Sequence, residues 1–177
     1  MTDIWENFKL RLYLETTTFN WFIDPRPGHE EVVRLFEAVK NGQFIGYTSQ
    51  YVTDELKRAE EPKRTNMLNL IDKYGIIELA PKPEVDAIAE EYRNSGIVPQ
   101  SQEQDSRHIA AASLYELDGI VSYNFKHINR NKTKALIPEV NSRHKLKEIM
   151  FFTAEEVFDY VQLLQRRRTD GDGSDRG

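Results

Sequence analysis

Leu10, Leu12 and Leu14 alternate with Arg11, Tyr13 and Glu15 in "KLRLYLETTTF", the two-residue period of a strand that closes in a threonine run. Glu15 then falls near the strand's C-terminal end. "WFIDPRPGHE" has the prolines and glycine of a connecting loop, after which Val32, Leu35, Phe36 and Val39 recur at helical spacing until "KNGQ" stops them. "FIGYTS" reads as a second strand. Thr48, Ser49 and Thr53 are candidate caps for the next helix, which carries Asp54 and Glu55 in an early turn and meets a breaker at Pro62. Met67, Leu70, Ile71 and Tyr74 resume the helical pattern.

"YGIIELAPKP" is expected as a third strand, and "PEVDAIAEEYRNSG" as a helix with Pro83 before its first turn and Gly96 past its end. A helix opening at Asp105 follows, with Ile109, Ala112 and Ser113 on a face small enough to pack closely on a sheet. It leads into the short strand "GIVSY", with Asn124 at the strand's exit. Residues 126–147 read as a basic loop, "KEIMFFT" as a last strand, and Thr153 with Glu156 as a capping box opening a final helix of Val157, Val161 and Leu164. Strands alternating with helices predict a three-layer α/β/α fold with a mainly parallel central sheet, because parallel neighbours need a crossover of about a dozen residues. The domain is expected to span 1–165. Residues 166–177, ending in "TDGDGSDRG", are expected to be a disordered tail.

Such sheets take their ligands beyond the carboxyl ends of the strands. Glu15, Glu55, Asp105 and Asn124 are all placed to meet at that edge. Clustered carboxylates repel unless a cation lies among them or some are protonated. Hard Mg²⁺ or Mn²⁺ suits such oxygen ligands, and can acidify water for attack on a phosphodiester while stabilising charge on the phosphoryl group. Each residue also has an ordinary explanation. Asp105 suits any helix N-terminus, Glu55 is no better placed than Asp54, and Asn124 suits a turn. Glu15 is the least ordinary, since a carboxylate at the end of an apolar strand is awkward to bury without a partner. His108 and His127 read more readily as packing or surface histidines than as ligands.

Composition narrows the chemistry. The 177 residues are 39% hydrophobic, enough for one core, and contain no cysteine, which excludes disulfides and thiolate chemistry. No apolar run approaches the ~20 residues that span a bilayer, and the acids in "MTDIWENFK" are unlike a signal peptide, so a soluble cytoplasmic protein without membrane contact is expected. The net charge of −5 conceals a segregation: in 126–147 Lys126, Arg130, Lys132, Lys134, Arg143, Lys145 and Lys147 face Glu139 alone. That segment is either a solvated surface or a phosphate-binding one.

"YLETTTFNWF", "SQYVTDEL" and above all "DSRHIAAASLYELDGIVSYNFKHIN", in that order, resemble the PIN-domain family, in particular VapC-like toxins, over most of residues 9–160. The resemblance implies a Mg²⁺- or Mn²⁺-dependent endoribonuclease. Its first acid would be Glu15, its second Glu55 and its third Asp105, these three holding metal. Asn124 would occupy the fourth position, and Lys126, His127, Arg130 and Lys132 would lie against RNA. It also implies a cognate antitoxin that blocks the site, and many members dimerise. Two departures stand out. Glutamate at 15 replaces the family's usual aspartate, and Asn124 brings a carbonyl oxygen but no charge, which implies a weaker metal site completed by substrate. A PIN-like scaffold that binds RNA or protein without cutting is the competing reading. A haloacid-type phosphatase would need an aspartate nucleophile followed two residues later by another aspartate, and "ETTTF" has neither.

Overall fold

The computed structural model describes residues 8–172, with side chains described to Arg167. Five strands form one parallel sheet: β1 (Arg11–Leu14), β2 (Ile45–Ser49), β3 (Ile77–Leu79), β4 (Gly119–Val121) and β5 (Met150–Phe152), in the order β3-β2-β1-β4-β5. The eight helices among the described residues are α1 (Thr16–Ile23), α2 (His29–Lys40), α3 (Gln50–Leu56), α4 (Lys63–Tyr74), α5 (Pro83–Asn94), α6 (Glu103–Leu114), α7 (Asn131–Arg143) and α8 (Ala154–Asp172). α1, α2 and α4 pack on one another, and α8 joins them through α2. α5 packs on both α6 and α7, while α3 touches α4 and α6. This is the three-layer arrangement expected from the alternation of strands and helices.

Central β1 is buried on both faces. Leu12 and Leu14 point to one side and Tyr13 to the other, and none of the three is exposed. Alternation that reads as half-polar in the sequence is therefore a fully covered strand, with its tyrosine paired by hydrogen bonds rather than by water. Close packing at the β4–β5 pair explains Gly119. A Cβ there would lie 2.7 Å from Phe152 Cε2, 2.9 Å from its Cδ2 and 3.1 Å from the Met150 carbonyl. Gly119→Ala must push a buried ring and a strand backbone apart, and we expect it to cost about 1–3 kcal/mol, seen as a lower urea midpoint with an unchanged slope.

The structure differs from the sequence expectation in five places. The threonine run is not the end of a strand but the first turn of α1, because Glu15 caps it, accepting from the Thr17 amide, while Phe19 packs into the core. α3 begins directly after β2 with Ser49 at its N-cap, so Glu55 lies in the helix's last turn and not an early one. α6 starts at Glu103, which leaves Asp105 within its first turn. The basic segment is not a loop: α7 runs through it with Pro138 inside, held by Thr133, Ile137, Val140 and Asn141, which recur at helical spacing and are buried. The Thr153–Glu156 capping box is present in both directions, Thr153 N–H donating to Glu156 Oε2 at 2.7 Å and Glu156 N–H to Thr153 Oγ1 at 3.3 Å. α8 continues to Asp172, into the segment expected as tail, and residues 173–177 lie outside the described residues.

Candidate functional site at the carboxyl edge of the sheet

Three adjacent chain segments deliver the acids. Glu15 follows β1 directly, and its amide donates to the Val121 carbonyl of β4 at 3.1 Å, which fixes its backbone at the sheet edge. Its side chain is 3% exposed and accepts from Thr17 N–H (3.1 Å), Thr17 Oγ1 (2.5 Å) and Ser122 Oγ (2.8 Å), all at Oε2. Oε1 accepts no hydrogen bond from the described residues. Burial raises the pKa of this carboxyl above its ordinary value, against the lowering effects of His108, Thr17 and Ser122.

Glu55 approaches from α3. Its Oε2 accepts from Thr16 Oγ1 at 2.5 Å and its Oε1 from His108 Nε2 at 3.1 Å. Burial pushes its pKa up, but the bonds from His108 and Thr16 outweigh it and the net shift is downward. His108 is shifted the opposite way: burial lowers it, and Glu55, Glu15 and Asp105 together raise it. The two directions agree on a buried imidazolium–carboxylate pair. With His108 protonated, Nε2–H donates to Glu55 and Nδ1–H to the Tyr13 oxygen at 2.9 Å. The tyrosine's own hydrogen then reaches Ser49 Oγ at 2.6 Å.

Oxygen and nitrogen ligand atoms of Glu15, Glu55 and His108 lie within 4.8 Å of one another. Both His108 nitrogens are already committed to Tyr13 and Glu55, so we read His108 as the residue that aims Glu55 rather than as a ligand. The donor set suits a hard divalent cation. Two carboxylates converge, one of them on an almost fully buried residue, and no thiolate is near.

Asp105 lies outside that tight group. Its Oδ1 accepts from Asn124 Nδ2 at 3.1 Å and its Oδ2 from His127 Nδ1 at 2.8 Å. The two clusters join through Ser122, whose hydroxyl donates to Glu15 and accepts from the Asn124 amide at 3.0 Å. Asn124 also holds the following turn, its Oδ1 accepting from His127 N–H at 3.0 Å. Glu15, Glu55, Asp105 and Asn124 thus meet at one edge, with His127 turned inward to Asp105 rather than free for a ligand. Of the basic residues, Lys126 and Lys132 are exposed. Arg130 is spent on the fold, donating to the Ile97 carbonyl at 2.7 Å and to Thr133 Oγ1 at 3.3 Å.

Sequence reasoning did not assign roles to Tyr13, Ser122, Thr16 or Thr17, and read Ser49 only as a candidate helix cap. The one available signal was His108, three residues after Asp105 and so on a neighbouring face of the same helix. Asp118 sits at the opposite edge, accepting from the Arg11 amide at 2.7 Å and from Lys147, as its position before β4 requires. No helix among the described residues is long and apolar enough to cross a membrane.

No family model matches the chain, and no curated protein matches its sequence. Among solved structures it is similar to Mycobacterium tuberculosis VapC20, a Sarcin-Ricin loop cleaving toxin. The identity is 11% and the TM-score 0.48, over 78% of this chain and 98% of that one.

Proposed function

We propose that this chain is a divalent-metal-dependent endoribonuclease of the PIN type, and that it acts as the toxin of a toxin–antitoxin pair. The observation that carries the nuclease reading is the buried, hydroxyl-clamped Glu15 beside a Glu55 held by His108. That arrangement destabilises the carboxylate at 15 until a cation arrives. The toxin role rests on the sequence resemblance alone. Glu15 and Glu55 would hold Mg²⁺ or Mn²⁺, with Asp105 contributing across the site. A bound cation there supplies Lewis-acid stabilisation of charge on a phosphodiester and lowers the pKa of water.

The chain's own residues do the rest. Thr17 and Ser122 fix the Glu15 carboxylate, and Thr16 and His108 fix that of Glu55, so the ligands need little reorganisation when charge develops. Asn124 and His127 orient Asp105. Lys126 and Lys132 are the cations available for flanking RNA phosphates. The site lies in a single domain.

The competing reading, a PIN-like scaffold that binds without cutting, is favoured by one feature. Asn124 brings no charge, and both Asp105 oxygens already accept from Asn124 and His127. The deciding experiment is cleavage of mixed single-stranded RNA by wild type and Asp105→Asn, purified in parallel, with Mn²⁺, with Mg²⁺ and with chelator. We expect metal-dependent cleavage that falls at least about 100-fold in the variant. Equal behaviour of the two proteins, silent or cutting in chelator, would leave the scaffold.

A further inference from the structure

Beside the acids, at the exit of β4, the chain builds an aromatic pocket that catalysis does not use. Trp21 and Tyr123 stack with centroids 4.5 Å apart and planes 13° from parallel, and Phe125 meets Tyr123 edge-on at 6.2 Å. These rings, with Pro27, Gly28, Glu31, Thr153 and Glu155, line an open cavity of about 310 Å³. Two of the rings are pinned: Trp21 Nε1–H donates to the Pro27 carbonyl at 3.3 Å, and the Tyr123 hydroxyl accepts from the Ala154 amide at 3.2 Å. Phe125 is different. It is 56% exposed, a large apolar side chain facing water where most aromatics of this chain are covered.

Position ties this pocket to the site. Tyr123 and Phe125 flank Asn124, which bonds Asp105, and the Tyr123 amide donates at 2.8 Å to the same Thr17 hydroxyl that clamps Glu15. A nucleotide next to a phosphodiester positioned at the acidic site would therefore bring its base to these rings. Glu31 and Glu155 at the pocket decide which part of the nucleotide enters. Carboxylates repel phosphate, so the backbone is directed toward exposed Lys126 and the neutral base toward the rings. Ionised carboxylates only accept hydrogen bonds. Of the four bases, guanine alone presents two neighbouring donors, N1–H and the 2-amino group, that a carboxylate can take together.

Building on the ribonuclease reading, we infer that the pocket of Trp21, Tyr123 and Phe125 is a nucleobase subsite for single-stranded RNA, stacking a base on exposed Phe125 beside the scissile phosphate and selecting guanine through Glu31 and Glu155. The probes are fluorescent hexauridylates carrying one guanine, inosine, adenine or cytosine at a central position. Their affinity is measured on Asp105→Asn protein in Mg²⁺, and cleavage on wild type. We expect the guanine probe to bind about tenfold more tightly than adenine or cytosine, with inosine, which lacks the 2-amino group, in between. Phe125→Ala, a surface change, should weaken every probe about tenfold, and Glu31→Gln with Glu155→Gln should erase the guanine preference while uridine binding persists.

Asp105-dependent cleavage with no base preference and no effect of Phe125→Ala would overturn the subsite and leave the nuclease intact. Absence of both cleavage and RNA binding would overturn the two together. Binding of an arginine-containing peptide in place of RNA, lost in the Glu31→Gln, Glu155→Gln protein, would overturn the subsite in favour of a cationic protein partner, which aromatic rings with carboxylates also suit.

Discussion

Glu15→Gln is expected to make the metal-free protein more stable and to stop it cutting RNA. The carboxylate at 15 is buried with its pKa raised, so folding disfavours its charged form. For a group raised in this way the stability contribution is complete below the unfolded value, near 4.5, and is lost as pH rises through the folded value. His108, also raised in the folded state, acts in the same direction: its contribution is complete below its unfolded value, near 6.5, and is lost above the folded one. Glu55, lowered, works the other way and loses its contribution only as pH falls through its folded value.

In chelator, the wild-type melting temperature should therefore decline as pH rises above about 4.5, with His108 adding to the decline above about 6.5. Gln at 15 keeps an oxygen for Thr17 and Ser122 and removes the charge. We expect a gain of about 1 kcal/mol at pH 8, or roughly 2–4 °C in a chain of this size, and a flatter pH profile. Cleavage should fall about 1000-fold, since an amide is a poor ligand for a hard cation. A variant less stable than wild type in chelator at pH 8 would show that Glu15 is a structural acid rather than one held ready for a cation.

Tyr13→Phe carries the largest expected loss of stability. Burial, with the charges of Glu15 and Glu55, keeps the Tyr13 hydroxyl a neutral phenol, far above its ordinary pKa, although its bond to Ser49 works the other way. Removing one oxygen leaves Ser49 Oγ and His108 Nδ1, both fully or almost fully buried, without the partner they share. Buried polar groups stranded in this way cost about 1–3 kcal/mol each, so a drop of about 2–4 kcal/mol is expected in the unfolding free energy. The imidazolium also loses what orients it toward Glu55, and cleavage should fall with a larger effect at low Mg²⁺ than at saturation. A stability loss with unchanged metal dependence would confine Tyr13 to packing.

The five strands, their order of appearance and the edge at which the acids gather were legible in the chain because Leu10, Leu12 and Leu14 alternate and the other strands are short apolar runs separated by helical patterns. α1 was not, because three threonines carry strand propensity, and only the tertiary fit of Phe19 with the cap at Glu15 overrides it. α7 was hidden by Pro138 and by its charges, though Thr133, Ile137 and Val140 carried the helical period all along.

In the site, Glu15, Glu55, Asp105 and Asn124 could be named from motif and position. The hydroxyls that clamp them and the Ser49–Tyr13–His108 chain behind Glu55 could not. Contacts between residues 36 and 107 positions apart leave no local trace. The reading of Arg130 as an RNA contact shows the reverse problem. A cation in a basic run looks available until its partner, here the Ile97 carbonyl, is seen.

The claim at the centre of this account is that Glu15 and Glu55 hold a divalent cation. Titration of the full chain with Mn²⁺, following the free ion by electron paramagnetic resonance, tests it without depending on any RNA. Wild type should remove Mn²⁺ from solution with saturable stoichiometry, Mg²⁺ should compete, and Glu15→Gln should bind at least about tenfold more weakly while remaining folded. Mn²⁺ uptake that is the same in wild type and Glu15→Gln, or absent from both, would contradict it.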